Sequence, residues 1–224
     1  MKGFGFLFPG QGAQSVGMGG DFYNASPEAR SLYEQADHLL GFSVSQLCFE
    51  GPDPELTRTF NAQIAIFVTG IAIHRAIQSR CPELSLRLGS GLSLGEFTCL
   101  AALDSISFED GLTLVRRRGE LMEMANQRNP GTMASILGFS HEECSSLCQE
   151  TGTELANLNS DEQFVISGSV EAVQHACEVA KQKGAKRAVL LKVGGAFHSS
   201  LMMPARKGLE AALKNVRIRE PKGL

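Results

Sequence analysis

Apolar positions recur along the chain at two spacings, and each change of spacing marks an element. Phe4 to Phe8, "FGFLF", is a short apolar run stopped by "PGQG", which predicts a buried strand feeding a loop. Ser26-Pro27 supplies an N-cap followed by proline at the first helical position, predicting a helix to Leu40 that closes at Gly41. Ile64, Phe67, Val68, Ile71 and Ala72 share one stripe of a helix predicted over Gln63 to Arg80. Leu86 to Ser90 reads as a strand bounded by glycines, and a helix is predicted from Leu94 to about Leu103. The next helix begins at Ser107, where Asp110 follows at the spacing of a capping box.

From Thr132 the rhythm changes. Strand "TMASIL", a helix capped by Ser140 with Glu143, strands "ELANL" and "QFVISG", a helix from Val170 to Lys183 ended by Gly184, and strand "RAVLLKV" follow in turn. The order βαββαβ is that of a ferredoxin-like unit of about 60 residues. Turn-rich "NQRNPG" and "GGAFHS" bracket it, so the expected organisation is a large α/β subdomain over residues 1–126, an inserted small subdomain over 127–194, and a return segment over 195–224. Strand-turn-helix order in the first part predicts a hydrolase-like α/β fold with a parallel sheet core.

Composition narrows the partners. Apolar residues make up 43% of the 224, charged residues 20%, and the net charge is -3, which argues against nucleic acid or an anionic membrane surface. The six cysteines form no CxxC pair or zinc-type spacing and read as reduced thiols. Pro9 interrupts the N-terminal apolar run too early for a signal-peptide core, and no run approaches membrane-spanning length; a cytoplasmic protein is expected.

Candidate chemistry centres on "SGLSLGE", Ser90 to Glu96. Gly91-Leu92-Ser93-Leu94-Gly95 is a GxSxG pattern between a predicted strand and helix, which exposes the Ser93 hydroxyl and sets the Leu94 amide at a helix N-terminus. Ser93 is either a nucleophile or an ordinary turn residue. A serine nucleophile needs a base. His38, His74, His141 and His175 fall in predicted helices or at their ends, whereas His198 in "GGAFHSSLM" lies on a loop after a strand. His198 is either that base or a simple loop residue. In the helix "GLTLVRRRGELMEMA", at about 100° per residue, Arg118 falls within roughly 10° of the centre of the apolar face, while Arg116 and Arg117 point away. A buried guanidinium must meet an anion, either a protein carboxylate or a substrate carboxylate gripped by its planar fork.

Taken in order, "FPGQG", "GLSLGE", "RRRGELM" and "GAFHSSLM" around a ferredoxin-like insertion resemble the malonyl-CoA:acyl carrier protein transacylases of dissociated fatty-acid synthesis, from Gly5 to Pro221. The resemblance implies Ser93 as acyl-accepting nucleophile, His198 as its base and Arg118 as clamp on the malonyl carboxylate. It further implies an oxyanion hole from the Gln11 and Leu94 backbone amides, and Phe197 in "AFH" selecting malonyl over methylmalonyl. The expected partners are malonyl-CoA and an acyl carrier protein, with no metal or redox cofactor, and a monomer is expected. Two features depart from the pattern. Leu92 stands where many relatives have histidine, and the chain stops at Leu224, where relatives continue with a segment whose carbonyl orients the histidine. The latter predicts an exposed apolar patch and keeps in view a catalytically impaired relative that only binds carrier or partner; a thioesterase or esterase is the other rival, against which Arg118 and the inserted ferredoxin-like unit argue.

Overall fold

The computed structural model describes residues 3–223. The chain divides into two compact units, one comprising the residues up to Glu120 together with those from Leu209 onward, the other Leu121–Gly208.

The first unit begins with strand β1 (Gly3–Phe8), followed by helices α1 (Gly20–Ala25), α2 (Pro27–Leu40), α3 (Val44–Glu50), α4 (Asp53–Thr57) and α5 (Thr59–Arg80). Strand β2 (Ser85–Gly91) then leads into α6 (Gly95–Ala102) and α7 (Phe108–Arg128), the helix that carries the chain into the second unit. Strands β1 and β2 pair in parallel and, among the described residues, make a two-stranded sheet. The cap read from the sequence is made: the Ala29 amide donates to Ser26 Oγ at 3.3 Å, and Gly41 closes α2 with φ 76. Caps of this kind contribute about 1 kcal/mol each.

Helix α5 is the centre of the first core. It carries buried residues on every side, from Ala62, Ile64 and Phe67 round to Val68, Ile71 and Ala72, and packs against α2, α3 and α6. It starts at Thr59, a turn earlier than its apolar stripe predicts, which makes it 22 residues long, with an 18-residue window of mean hydropathy 1.3. The reading that no run approaches membrane-spanning length is therefore corrected. By length and composition α5 qualifies, but 67% of that window is buried inside the protein, as befits a core helix. His74 in the same helix is 1% exposed, set edge-on to the rings of Phe6 and Phe8, and among the described residues neither ring nitrogen has a partner. Burial, reinforced by the charge of Arg75, pushes its pKa down, against an opposing pull from Asp104. On β1 and β2, Leu7 and Leu88 are 84% and 56% exposed.

The second unit has the predicted element order: β3 (Gly131–Leu137), α8 (His141–Thr151), β4 (Glu154–Ser160), β5 (Gln163–Ser169), α9 (Val170–Gln182) and β6 (Arg187–Leu190). Its strands lie in the order β4-β5-β3-β6, every neighbouring pair antiparallel, which is the ferredoxin-like sheet. Both halves of the capping box at Ser140 and Glu143 form. Ala134, Ile136, Leu147, Ile166, Val173 and Ala180 fill the space between sheet and helices. Beyond β6 the chain makes a turn, a short 3-10 helix over Ser200–Met202, and α10 (Met203–Leu213), which carries it back into the first unit.

Candidate active site

Backbone contact dictates both glycines of the elbow. A Cβ on Gly91 would lie 2.0 Å from the Gly95 carbonyl carbon, and one on Gly95 would lie 2.1 Å from the Phe8 carbonyl oxygen, so neither position accepts a side chain. The strand thereby turns into the helix directly under the end of β1. Ser93, at the crest, takes φ 54, a left-handed conformation that costs a non-glycine residue of order 1–3 kcal/mol and persists only where its surroundings enforce it. Leu94 follows with its side chain fully buried, which anchors its amide at the start of α6.

The "PGQG" loop is pressed onto this elbow. A Cβ on Gly10 would stand 2.8 Å from the Leu92 carbonyl oxygen, and the Leu92 amide donates to the Phe8 carbonyl at 3.1 Å. Gln11 is tied to the start of α5, its Nε2 donating to Thr59 Oγ1 at 3.3 Å. Gln11, Ser93 and Leu94 thus belong to neighbouring turns of one unit. Leu92 is 55% exposed, and it contributes to these contacts through its backbone amide and carbonyl.

Arg118 joins them. The helical phase inferred from the sequence is the one observed: Leu112, Leu114 and Val115 are buried, while Arg116 and Arg117 are exposed and both pair with Glu120. Arg118 Nη2 donates to Ser93 Oγ at 2.8 Å, and Nη1 donates to Gln63 Oε1 at 2.6 Å. Its guanidinium also stands 5.9 Å from the centre of the Phe97 ring. Among the described residues no carboxylate lies within ion-pair distance of Arg118, so of the two readings open in the sequence the internal ion pair is not formed. Burial lowers its pKa to about 10, a fall that exposed Glu96 partly opposes through its charge, so the group remains cationic at neutral pH. The result is a cation facing a hydroxyl, held by neutral dipoles.

Gln63 was legible only as the start of a helix. It is fully buried, on the same side as Phe67 and Ile71, so the argument that singled out Arg118, a polar side chain on an apolar stripe, would have found it.

The second unit holds His198 and Phe197. Phe197 is buried at 6% exposure, whereas His198 is exposed and has φ 58. The turn around them is held by side chains. Ser199 Oγ donates to the Ala196 carbonyl at 2.7 Å, and a Cβ on Gly131 would come within 2.6 Å of Ala196 Cβ. The Ser200 amide donates to both oxygens of Glu154, at 2.9 and 3.1 Å, and its hydroxyl donates to Oε1 at 2.6 Å. Nothing in the spacing of "ELANL" signals this role for Glu154. His38, His141 and His175 sit in helices, as their context implied. Near the end of α9, Lys183 pairs with Glu150, and Lys186 with Glu162 at 2.6 Å. Among the described residues no group of three or more His, Cys, Asp or Glu side chains is disposed to hold a metal ion.

A serine raised on a strand-to-helix elbow, with a helix-start amide beside it and a guanidinium on its hydroxyl, fits the acyl-transfer class, and the chain belongs to the acyl transferase domain family, whose model matches residues 5–223. Within that class it is a member of the malonyl CoA-acyl carrier protein transacylase family. It is 41% identical over 227 residues to the malonyl CoA-acyl carrier protein transacylase of Bacillus subtilis (strain 168), covering 98% of this chain and 70% of the relative. It is 36% identical to that of Haemophilus influenzae, with 99% and 72% covered. The crystal structure of acyl-carrier-protein-S-malonyltransferase from Bartonella henselae superposes with a TM-score of 0.93 at 38% identity, over 100% of this chain and 73% of that one.

Proposed function

We propose that Ser93 carries a malonyl group from malonyl-CoA to the phosphopantetheine thiol of an acyl carrier protein, with His198 as base, the Gln11 and Leu94 amides as oxyanion donors, and Arg118 as the group that recognises the acyl carboxylate. The observation that carries this reading is the half-buried Arg118 guanidinium, 2.8 Å from Ser93 Oγ and without a protein carboxylate of its own among the described residues. A free acyl carboxylate supplies the missing anion and takes over the Nη2 donor, which releases Ser93 Oγ to react.

His198 accepts the Ser93 proton as Oγ attacks the thioester carbonyl. The developing oxyanion is met by preorganised amides, usually the largest electrostatic contribution to such a step. The C–S bond breaks, the proton passes to the departing coenzyme A thiolate, and malonyl-Ser93 remains. The carrier thiol gives its proton to His198 as its sulfur attacks the ester carbonyl, the bond from the acyl carbon to Ser93 Oγ breaks, and His198 returns the proton to Oγ, so the two substrates react in ping-pong order. A malonyl-transacylase in complex with a type II PKS acyl carrier protein has a similar structure, with a TM-score of 0.94 at 34% identity, and supports the carrier as partner. Phe197, buried and next to His198 in the chain, is the side chain that would exclude an α-methyl group. Acetyl-CoA leaves the guanidinium without its anion and is disfavoured for that reason.

The test is a mass measurement on the intact chain after incubation with malonyl-CoA. One malonyl group should appear, be absent in Ser93→Ala, and be discharged by holo-carrier protein. A chain that stays unmodified while soluble and folded would instead fit a relative that only binds. Coenzyme A release that continues without a carrier would fit a thioesterase.

A further inference from the structure

We propose that Glu154 is a positioning residue for His198, acting by capping the short helix that follows it. The proposal rests on the reading of His198 as the base. His198 is one of the few residues other than glycine with positive φ, and a histidine in that region holds its conformation only where its neighbours leave no alternative. On its N-terminal side the turn is held by packing, with Ala196 against Gly131 and Gly195 closed onto Asn126, where a Cβ would meet Asn126 Oδ1 at 2.8 Å. On its C-terminal side the 3-10 helix over Ser200–Met202 starts at Ser199, whose side chain makes no capping bond, because its hydroxyl is turned back to the Ala196 carbonyl.

Glu154 fills that role from the first residue of β4, 46 positions earlier in the chain. Both of its oxygens accept from the Ser200 amide, and Oε1 also accepts the Ser200 hydroxyl at 2.6 Å. These are charge-assisted bonds at the positive end of a helical turn, roughly twice as strong as neutral ones. They fix the residue two places after His198 to β4, an edge strand of the ferredoxin-like sheet. The imidazole is thereby aimed by a carboxylate that has no part in the chemistry. Without it the turn can relax out of the left-handed region, and a misplacement of a general base by about 1 Å is enough to cost on the order of a hundredfold in rate.

The experiment compares the wild-type chain, Glu154→Ala, Glu154→Gln, Ser200→Ala and the double variant Glu154→Ala with Ser200→Ala in malonyl transfer to holo-carrier protein. Glu154→Ala should lower kcat by about tenfold or more while KM for malonyl-CoA stays within about twofold, the pattern of a group lost from the transition state alone. Glu154→Gln keeps one acceptor oxygen and should fall between the two. Ser200→Ala should cost a few-fold in the wild-type background and nothing further in Glu154→Ala, because the two side chains act through one contact. Malonylation of Ser93 in Glu154→Ala at the wild-type rate overturns the proposal and leaves the function untouched. So does a loss confined to KM, or full additivity of the two alanine substitutions. Absence of any malonyl adduct on the wild-type chain overturns both.

Discussion

The elbow at Ser93 and the turn at His198 place a reactive side chain on nearly the same strained backbone, with φ 54 and φ 58, yet they are held in opposite ways. Ser93 is locked by main chain against main chain, since Gly91, Gly95 and Gly10 exist to let backbones approach closer than any side chain would allow. His198 is exposed, and the turn that carries it is held by hydrogen bonds to side chains, above all those that Ser200 donates to Glu154. A backbone lock tolerates almost no substitution and leaves a trace in the sequence as glycine. A side-chain lock can be built from many residue pairs and leaves no fixed spacing. The nucleophile's geometry is therefore rigid by construction, and that of the base is tunable.

The strongest attack on this contrast is Gly95→Ala. The new methyl group meets the Phe8 and Pro9 carbonyl oxygens at 2.1 and 3.0 Å, so the elbow and the end of β1 must move apart. Malonyl transfer should fall by about a hundredfold or more, because a shift of about 1 Å at the nucleophile suffices for that. Kinetics on folded protein check it, and activity within a few-fold of wild type would dissolve the distinction between the two locks.

Gln63→Glu sharpens the account of the first unit. It keeps the shape of the side chain but turns the neutral acceptor 2.6 Å from Arg118 Nη1 into an anion. The guanidinium then has an internal partner, and the incoming carboxylate meets like charge in a poorly solvated place. Malonyl loading should drop by about tenfold to a hundredfold, a difference of roughly 1.4–2.8 kcal/mol, while acetyl loading changes little. The readout is the ratio of the two adducts by mass.

The smallest effect concerns a buried group outside the chemistry. The pKa of His74 is depressed in the fold, so below about pH 6.5 the unfolded chain takes up its proton first. The stability held by neutral His74 is thus complete above that pH and is lost as pH falls from there toward the folded pKa. His74→Phe should lose about 2–4 °C less in Tm than wild type between about pH 7.5 and pH 5.5, with malonyl transfer at neutral pH unchanged. Equal acid sensitivity in both proteins would refute the assignment.

Much of this was legible because it rests on spacing. Period, caps and glycine stops placed α2, α8 and the βαββαβ order, and helical phase separated Arg118 from Arg116 and Arg117 although all three are adjacent. The start of α5 was missed because its first turn, "TFNA", has no recognisable side-chain cap and little apolar periodicity. Gln63 went unnoticed because a single buried amide inside an apolar helix looks like its edge. Glu154 was not legible at all, since a cap supplied from 46 residues away is a property of the tertiary fold. The number of strands beside β1 was likewise beyond reach, because pairing in a parallel sheet joins segments far apart in sequence.

The central claim is that Arg118, half-buried and, among the described residues, without a carboxylate at ion-pair distance, chooses the acyl group that Ser93 carries. The most direct test is Arg118→Ala, challenged with malonyl-CoA and acetyl-CoA in separate reactions, with the Ser93 adduct followed over time by intact mass. The account predicts that malonyl loading falls steeply, acetyl loading holds or rises, and the preference between the two collapses toward unity. An undiminished malonyl preference in folded Arg118→Ala would contradict it.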